Sequence, residues 1–128
     1  MTSRVLLAED EPHIAELLCF LLDRAGFQVE TQVTGPSALA RVLDEPPDVL
    51  ILDVMLPEMN GFEIMRRLRA DPRGAGVPVV MLTAKGQRED REAAEKLRVD
   101  VFITKPFSNA DLVDTVTRLT AGTRGAVA

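Results

Sequence analysis

With a single cysteine, Cys19, among its 128 residues, the chain can form no internal disulfide, a usage that suits a reducing cytoplasm. The single histidine, His13, falls on the same predicted helix as Cys19, and with no further partners the two make no zinc site. Apolar stretches stay under ten residues, whereas a membrane-spanning helix needs about twenty. The opening "MTSRVLLAED" turns acidic after five apolar residues, which is not the pattern of a secretory signal. A Gly-rich phosphate loop is missing after the first apolar run; Glu9-Asp10-Glu11-Pro12 stands there instead, which argues against a nucleotide-binding module. Basic residues are outnumbered, 15 against 20 acidic, for a net charge of −5. That balance argues against direct nucleic acid binding by this domain and suits a site that collects cations.

What is present is ordinary in amount and regular in order. Apolar residues make up 46% and charged residues 27%, the composition of a globular domain, and the length is that of one domain. "RVLLA" (4–8) is a short apolar run. Ile14, Leu17, Leu18, Leu21 and Leu22 then repeat at helical spacing, with Pro12 in the first turn and Gly26 at the end. "FQVETQV" (27–33) alternates as a strand does, and Ala38, Leu39, Val42 and Leu43 mark a second helix. "DVLILD" (48–53) is a third strand; Gly61, Ile64, Met65 and Leu68 lie on a third helix. "VPVVMLT" (77–83) is a fourth strand, followed by a charged, weakly amphipathic helix over 86–97. "DVFIT" (100–104) and a helix through Leu112, Val113, Val116 and Leu119 complete the pattern. The domain is expected to span 1–121, with 122–128 as a C-terminal tail.

Five strands alternating with five helices predict an α/β fold, a parallel sheet covered on both faces. Such sheets bind ligands beyond the carboxyl ends of their strands. Glu9, Asp10 and Glu11 follow the first strand, Asp53 ends the third, Thr83-Ala84 the fourth and Lys105-Pro106 the fifth. An unpaired carboxylate is costly inside an apolar strand, so Asp53 asks for a reason. Ionised acids about 5 Å apart would repel by roughly 3 kcal/mol per pair at an effective dielectric near 20. A divalent cation removes that cost, and hard oxygen ligands with room for water suit Mg²⁺. Lys105 and Thr83 then describe the surroundings of a phosphoryl group.

"VLLAEDEPHI", "LILDVMLPEMNGFE", "PVVMLTAK" and "FITKPF" resemble, in order and spacing, the receiver domain of two-component response regulators. The resemblance covers about residues 3–120 and implies a flavodoxin-like sheet in the order 2-1-3-4-5. It implies that Asp53 is the phosphoacceptor, taking a phosphoryl group from a sensor histidine kinase or histidine phosphotransfer protein. Glu9, Asp10, Asp53 and the Met55 carbonyl would hold Mg²⁺. Thr83 and Lys105 would bind phosphoryl oxygens, Ala84 would leave room for them, and Lys105-Pro106 would be a cis peptide. Thr83 and Phe102 would form the switch. The domain would not be an enzyme beyond its own phosphoryl transfer and slow autodephosphorylation, and would be cytoplasmic.

Taken singly, these residues have plainer readings. Thr83 alone reads as a helix cap, Phe102 as core, and Glu11 as a complement to the first helix's dipole. His13 reads as a solvated first-turn residue, Cys19 as a helix residue at the core's edge, and Arg66, Arg67 and Arg69 as a solvated helix face. Met55 and Lys85 flank the site. The alternative function is a Mg²⁺-dependent phosphatase of the haloacid dehalogenase class. It needs a second aspartate as general acid where this chain has Met55. Output would go through a partner protein or a missing effector domain, by phosphorylation-dependent association through residues 86–120. On that face Arg91 and Asp111 could still pair across a two-fold axis. Leu97, Val101 and Thr115 replace the family's charges, and exposed Leu97 and Val101 would make an apolar patch. Arg98 and Val99 replace Gly-Ala, which puts the local turn in doubt.

Overall fold

The chain alternates through β1 (Arg4–Ala8), α1 (Pro12–Arg24), β2 (Gln28–Gln32), α2 (Gly35–Asp44), β3 (Val49–Asp53), α3 (Gly61–Ala70), β4 (Val79–Ala84), β5 (Val101–Lys105) and α4 (Asn109–Gly125). This computed structural model describes residues 3–84, 92 and 95–125. The five strands form one parallel sheet in the order β2-β1-β3-β4-β5, as expected. Among the described residues there are four helices rather than five. The helix expected over 86–97 lies largely outside them, although residues 92, 95 and 96 are helical. The last helix takes in residues 122–125, which the sequence reads as tail.

Period-two alternation sorts each strand's side chains onto two faces. Leu6, Ala8, Leu50, Leu52, Val79 and Met81 pack with Ala38, Val42, Ile64, Met65 and Leu68, so α2 and α3 cover one face. Val5, Leu7, Val49, Ile51, Val80 and Leu82 pack with Leu18, Leu22, Leu112 and Val116, so α1 and α4 cover the other. All five residues of β3 are buried. That is why the central strand reads as an unbroken apolar run rather than an alternation.

The helices start where the sequence supplies caps. Glu11 accepts from the His13 N–H with Pro12 in the first turn, Thr34 accepts from the Ser37 N–H, and Asn60 accepts from the Glu63 N–H at 3.0 Å. Each cap satisfies a donor the helix itself cannot. Gly26, at φ 96°, closes α1.

Three surface expectations need correction. Arg66 and Arg67 do lie on a solvated face, paired with Glu63, but Arg69 does not: its side chain is only 8% exposed. It donates to the carbonyls of Gly74, Ala75, Val77 and Arg98, and to Asp100. Arg98 keeps the turn that its replacement of glycine put in doubt. It adopts φ 60°, with its N–H on the Glu95 carbonyl and its own carbonyl held by Arg69. Leu97 and Val101 are half-buried and pack against the two cores, and Thr115 is buried with its hydroxyl on the Asp111 carbonyl. The apolar patch expected there is therefore drawn into the fold. Arg91 and Lys85 lie outside the described residues; Asp111 is exposed.

Candidate functional site

Strand order reverses between β1 and β3, because the chain leaves β1 toward β2 on one side and returns to β3 on the other. A crevice opens at such a point beyond the strands' carboxyl ends. The register carries Ala8 beside Leu52, Asp53 beside Leu82, and Ala84 beside Lys105. Residues distant in sequence thereby end on one rim. Glu9, Asp10 and Asp53 each offer a carboxylate oxygen, and these oxygens all lie within 4.8 Å of one another.

Glu9 is fully buried and Asp53 nearly so, while Asp10 faces solvent. Burial of two acids this close demands compensation. Lys105 Nζ provides it, donating to Asp53 Oδ2 at 2.8 Å and Glu9 Oε1 at 3.3 Å. The Met55 N–H donates to Asp53 Oδ1 at 3.0 Å, so each Asp53 oxygen has a donor. The Glu9 backbone N–H is tied to the Gln32 carbonyl, and the Val54 N–H to the Leu82 carbonyl. These bonds set the loops after β1 and β3 on the frame of the sheet.

The two buried acids divide the available charge. Burial, then a hydrogen bond to Asp53 and the Asp53 charge, push the Glu9 carboxyl up to about 7. Burial would raise Asp53 too, but hydrogen bonds from Glu9 and Lys105 and from the Met55 N–H outweigh it and hold Asp53 below the usual carboxylate range. Burial works against the Lys105 ammonium, yet its bonds to Asp53 and the two acidic charges raise it on balance. At neutral pH Asp53 is thus an anion, while the Glu9 carboxyl lies close to its own midpoint.

The sequence-predicted residues come together as follows. Glu9, Asp10, Asp53 and Lys105 form one cluster. The Lys105-Pro106 peptide is cis. Thr83 is buried one residue past the β4 position that pairs with Asp53. Phe102 is half-buried against the core formed with α2 and α3. The Met55 side chain is 75% exposed, and its amide is the part that reaches Asp53. The three convergent carboxylates are hard oxygen donors of the kind Mg²⁺ takes, with one of them open to water, so the residues present fit that ion.

Two features of this region, one contact and one protonation state, escaped the sequence reading. Gly35, buried at the first turn of α2, packs directly on the loop after β3. A glycine in a helix asks for a packing reason, and that was the available signal. Glu9's protonation had no signal in the sequence, because it depends on the depth of burial.

The model of the response regulator receiver domain family matches residues 5–117. The phosphate regulon transcriptional regulatory protein PhoB of Escherichia coli K12 is 40% identical over 113 residues, covering 88% of this chain and 49% of PhoB. The chain thus spans about half the length of the curated relatives it matches. A receiver domain of a signal transduction histidine kinase from Syntrophus aciditrophicus superposes with TM-score 0.88 at 34% identity, covering 94% of this chain and 92% of that one. The receiver domain of sensor histidine kinase PA1611 from Pseudomonas aeruginosa PAO1 superposes with TM-score 0.86 at 27% identity, covering 94% and 99%. It carries a magnesium ion coordinated in its active site cleft. No helix among the described residues is long and apolar enough to cross a membrane. Fold, crevice, family match and relatives agree: this chain belongs to the response regulator receiver domain family.

Proposed function

We propose that the domain takes a phosphoryl group onto Asp53 from a phosphohistidine on a sensor kinase or histidine phosphotransfer protein. The observation that carries this is the placement of Asp53. It is an anion at the end of a rigid, fully buried strand, held by the Met55 N–H and Lys105 while two further acids stand within 4.8 Å. An Asp53 oxygen attacks phosphorus in line, the O–P bond forms, the P–N bond breaks, and the imidazole leaves. Glu9, Asp10, Asp53 and the Met55 carbonyl would hold Mg²⁺, which supplies charge neutralisation for the equatorial oxygens. Lys105, bonded to Asp53 Oδ2, would follow the phosphoryl oxygens, with the Thr83 hydroxyl as a second donor.

The consequence for signalling runs through β4 and β5. Thr83 sits beside Thr104 in the sheet, two residues after Phe102 on the same strand. Recruiting the Thr83 hydroxyl to a phosphoryl oxygen would alter the packing that holds Phe102 half-buried, and so the surface contributed by residues 95–120. That surface is offered to an output protein or effector domain. With a net charge of −5, DNA contact would fall to a separate domain. The phosphatase alternative gains no support: at position 55 it would need an acid, and the chain presents a methionine turned to solvent.

The test is phosphorylation of the purified protein by acetyl phosphate with and without Mg²⁺. Uptake should require Mg²⁺ and disappear in Asp53→Asn. Labelling of that variant at the wild-type rate and site would end the assignment.

A further inference from the structure

The N-terminus of α2 and the loop between β3 and α3 approach more closely than any side chain would permit. A Cβ built on Gly35 would lie 2.2 Å from the Met59 carbonyl oxygen, 2.6 Å from Met59 Cβ and 2.9 Å from the Met59 carbonyl carbon. Two of those three atoms are backbone and cannot rotate away. The contact is also bonded: the Gly35 N–H donates to the Pro57 carbonyl at 3.1 Å, and the Met59 N–H donates to the same oxygen at 2.8 Å. Between them Glu58 has φ 68°. An i→i+2 bond closed around a left-handed, non-glycine residue is a rare and strained turn. Such turns persist where their surroundings over-determine them, and Gly35 is the part of α2 that does so here.

The same loop is fastened at its far end. The Gly61 N–H donates to the Val54 carbonyl at 2.9 Å, and a Cβ on Gly61 would lie 2.9 Å from the Asp53 carbonyl oxygen. Residues 54–60 are therefore clamped at both ends, with Met55 inside the clamp and its amide on Asp53 Oδ1. We propose that Gly35 is a positioning residue for the acidic site. By letting α2 close onto Pro57–Met59, it fixes the loop that presents the Met55 amide and carbonyl beside Asp53. This rests on the Mg²⁺ reading above and extends it to a residue on a different element, with no contact of its own to the acids.

The test is calorimetric titration of the full chain with Mg²⁺ alone. Gly35→Ala should weaken Mg²⁺ binding about tenfold or more, the usual cost of disturbing a supporting contact around a metal. Labelling by acetyl phosphate should then be slow at low Mg²⁺ and recover at saturating Mg²⁺. A merely structural loss would not produce that split. Gly76→Ala is the control, since a Cβ at Gly76 meets nothing within 4 Å and Mg²⁺ affinity should stay at the wild-type value. If Gly35→Ala does not fold, hydrogen exchange on the wild type decides. Coupling is reciprocal, so Mg²⁺ must slow exchange of the Gly35 and Met59 amides. Equal Mg²⁺ affinity in folded Gly35→Ala and wild type, or Gly35 exchange indifferent to Mg²⁺, overturns the proposal. Failure of the wild type itself to bind Mg²⁺ overturns the metal reading, and this proposal with it.

Discussion

Glu9 makes the metal-free protein less stable as pH rises toward neutrality, against the usual direction for an acidic residue. In the fold its carboxyl is raised from an ordinary 4.5 to about 7, first by burial and then by Asp53. Between those values the folded chain holds a proton that the unfolded chain has released. Unfolding free energy therefore falls with pH across the window. The span corresponds to about 3 kcal/mol, or roughly 10 °C in Tm for a domain of this size. Neither neighbour confuses the signal. Asp53, held low, contributes stability that is lost only as pH falls below its ordinary 3.8. Lys105, raised above 10.5, loses its contribution only at still higher pH. The assay is urea unfolding in EDTA at constant ionic strength, from pH 4.5 to 8, on wild type and Glu9→Gln. Wild type should lose stability across the range relative to the variant, which keeps a hydrogen-bonding head but no titrating group. Saturating Mg²⁺ should remove the loss, because a metal ligand must be ionised. Parallel pH profiles for the two proteins in EDTA would refute the burial argument.

Arg69→Leu should destabilise the domain by about 2–4 kcal/mol, because the carbonyls of Gly74, Ala75, Val77 and Arg98 lose a shared, mostly buried donor. A urea midpoint within error of wild type would contradict that. With beryllofluoride as a stable mimic of the aspartyl phosphate, solution mass should remain that of a monomer. Leu97 and Val101 are packed inward rather than presented, and a lone surface ion pair involving Asp111 would give at most about 1 kcal/mol. A tight dimer disrupted by Asp111→Arg would overturn this.

The amino-acid sequence by itself determined the layer architecture and the composition of the rim. Strand and helix periods differ, so Val49–Leu52 and the Leu17–Leu22 repeat could be told apart without coordinates. Chain direction in a parallel sheet then sends Glu9, Asp53, Thr83 and Lys105 to one end. The strand order itself came from resemblance to a family, since periodicity does not say which strand lies beside which.

Tertiary structure decided everything that depends on depth and approach. Arg69 looks like Arg66 and Arg67 in the sequence, but a helix face turns solvent-facing or buried according to the loop that folds over it. Here residues 74–77 and 98–100 do so. Leu97 and Val101 looked exposed because the family puts charge there, yet apolar side chains at a sheet edge fold back onto whatever core is in reach. Arg98 could hold a glycine's conformation because a distant guanidinium captured its carbonyl. Glu9 and Asp10 are adjacent acids in the chain. One strand register buries the first beside Asp53 and Lys105 and leaves the second in water, and that burial is what raises the Glu9 carboxyl.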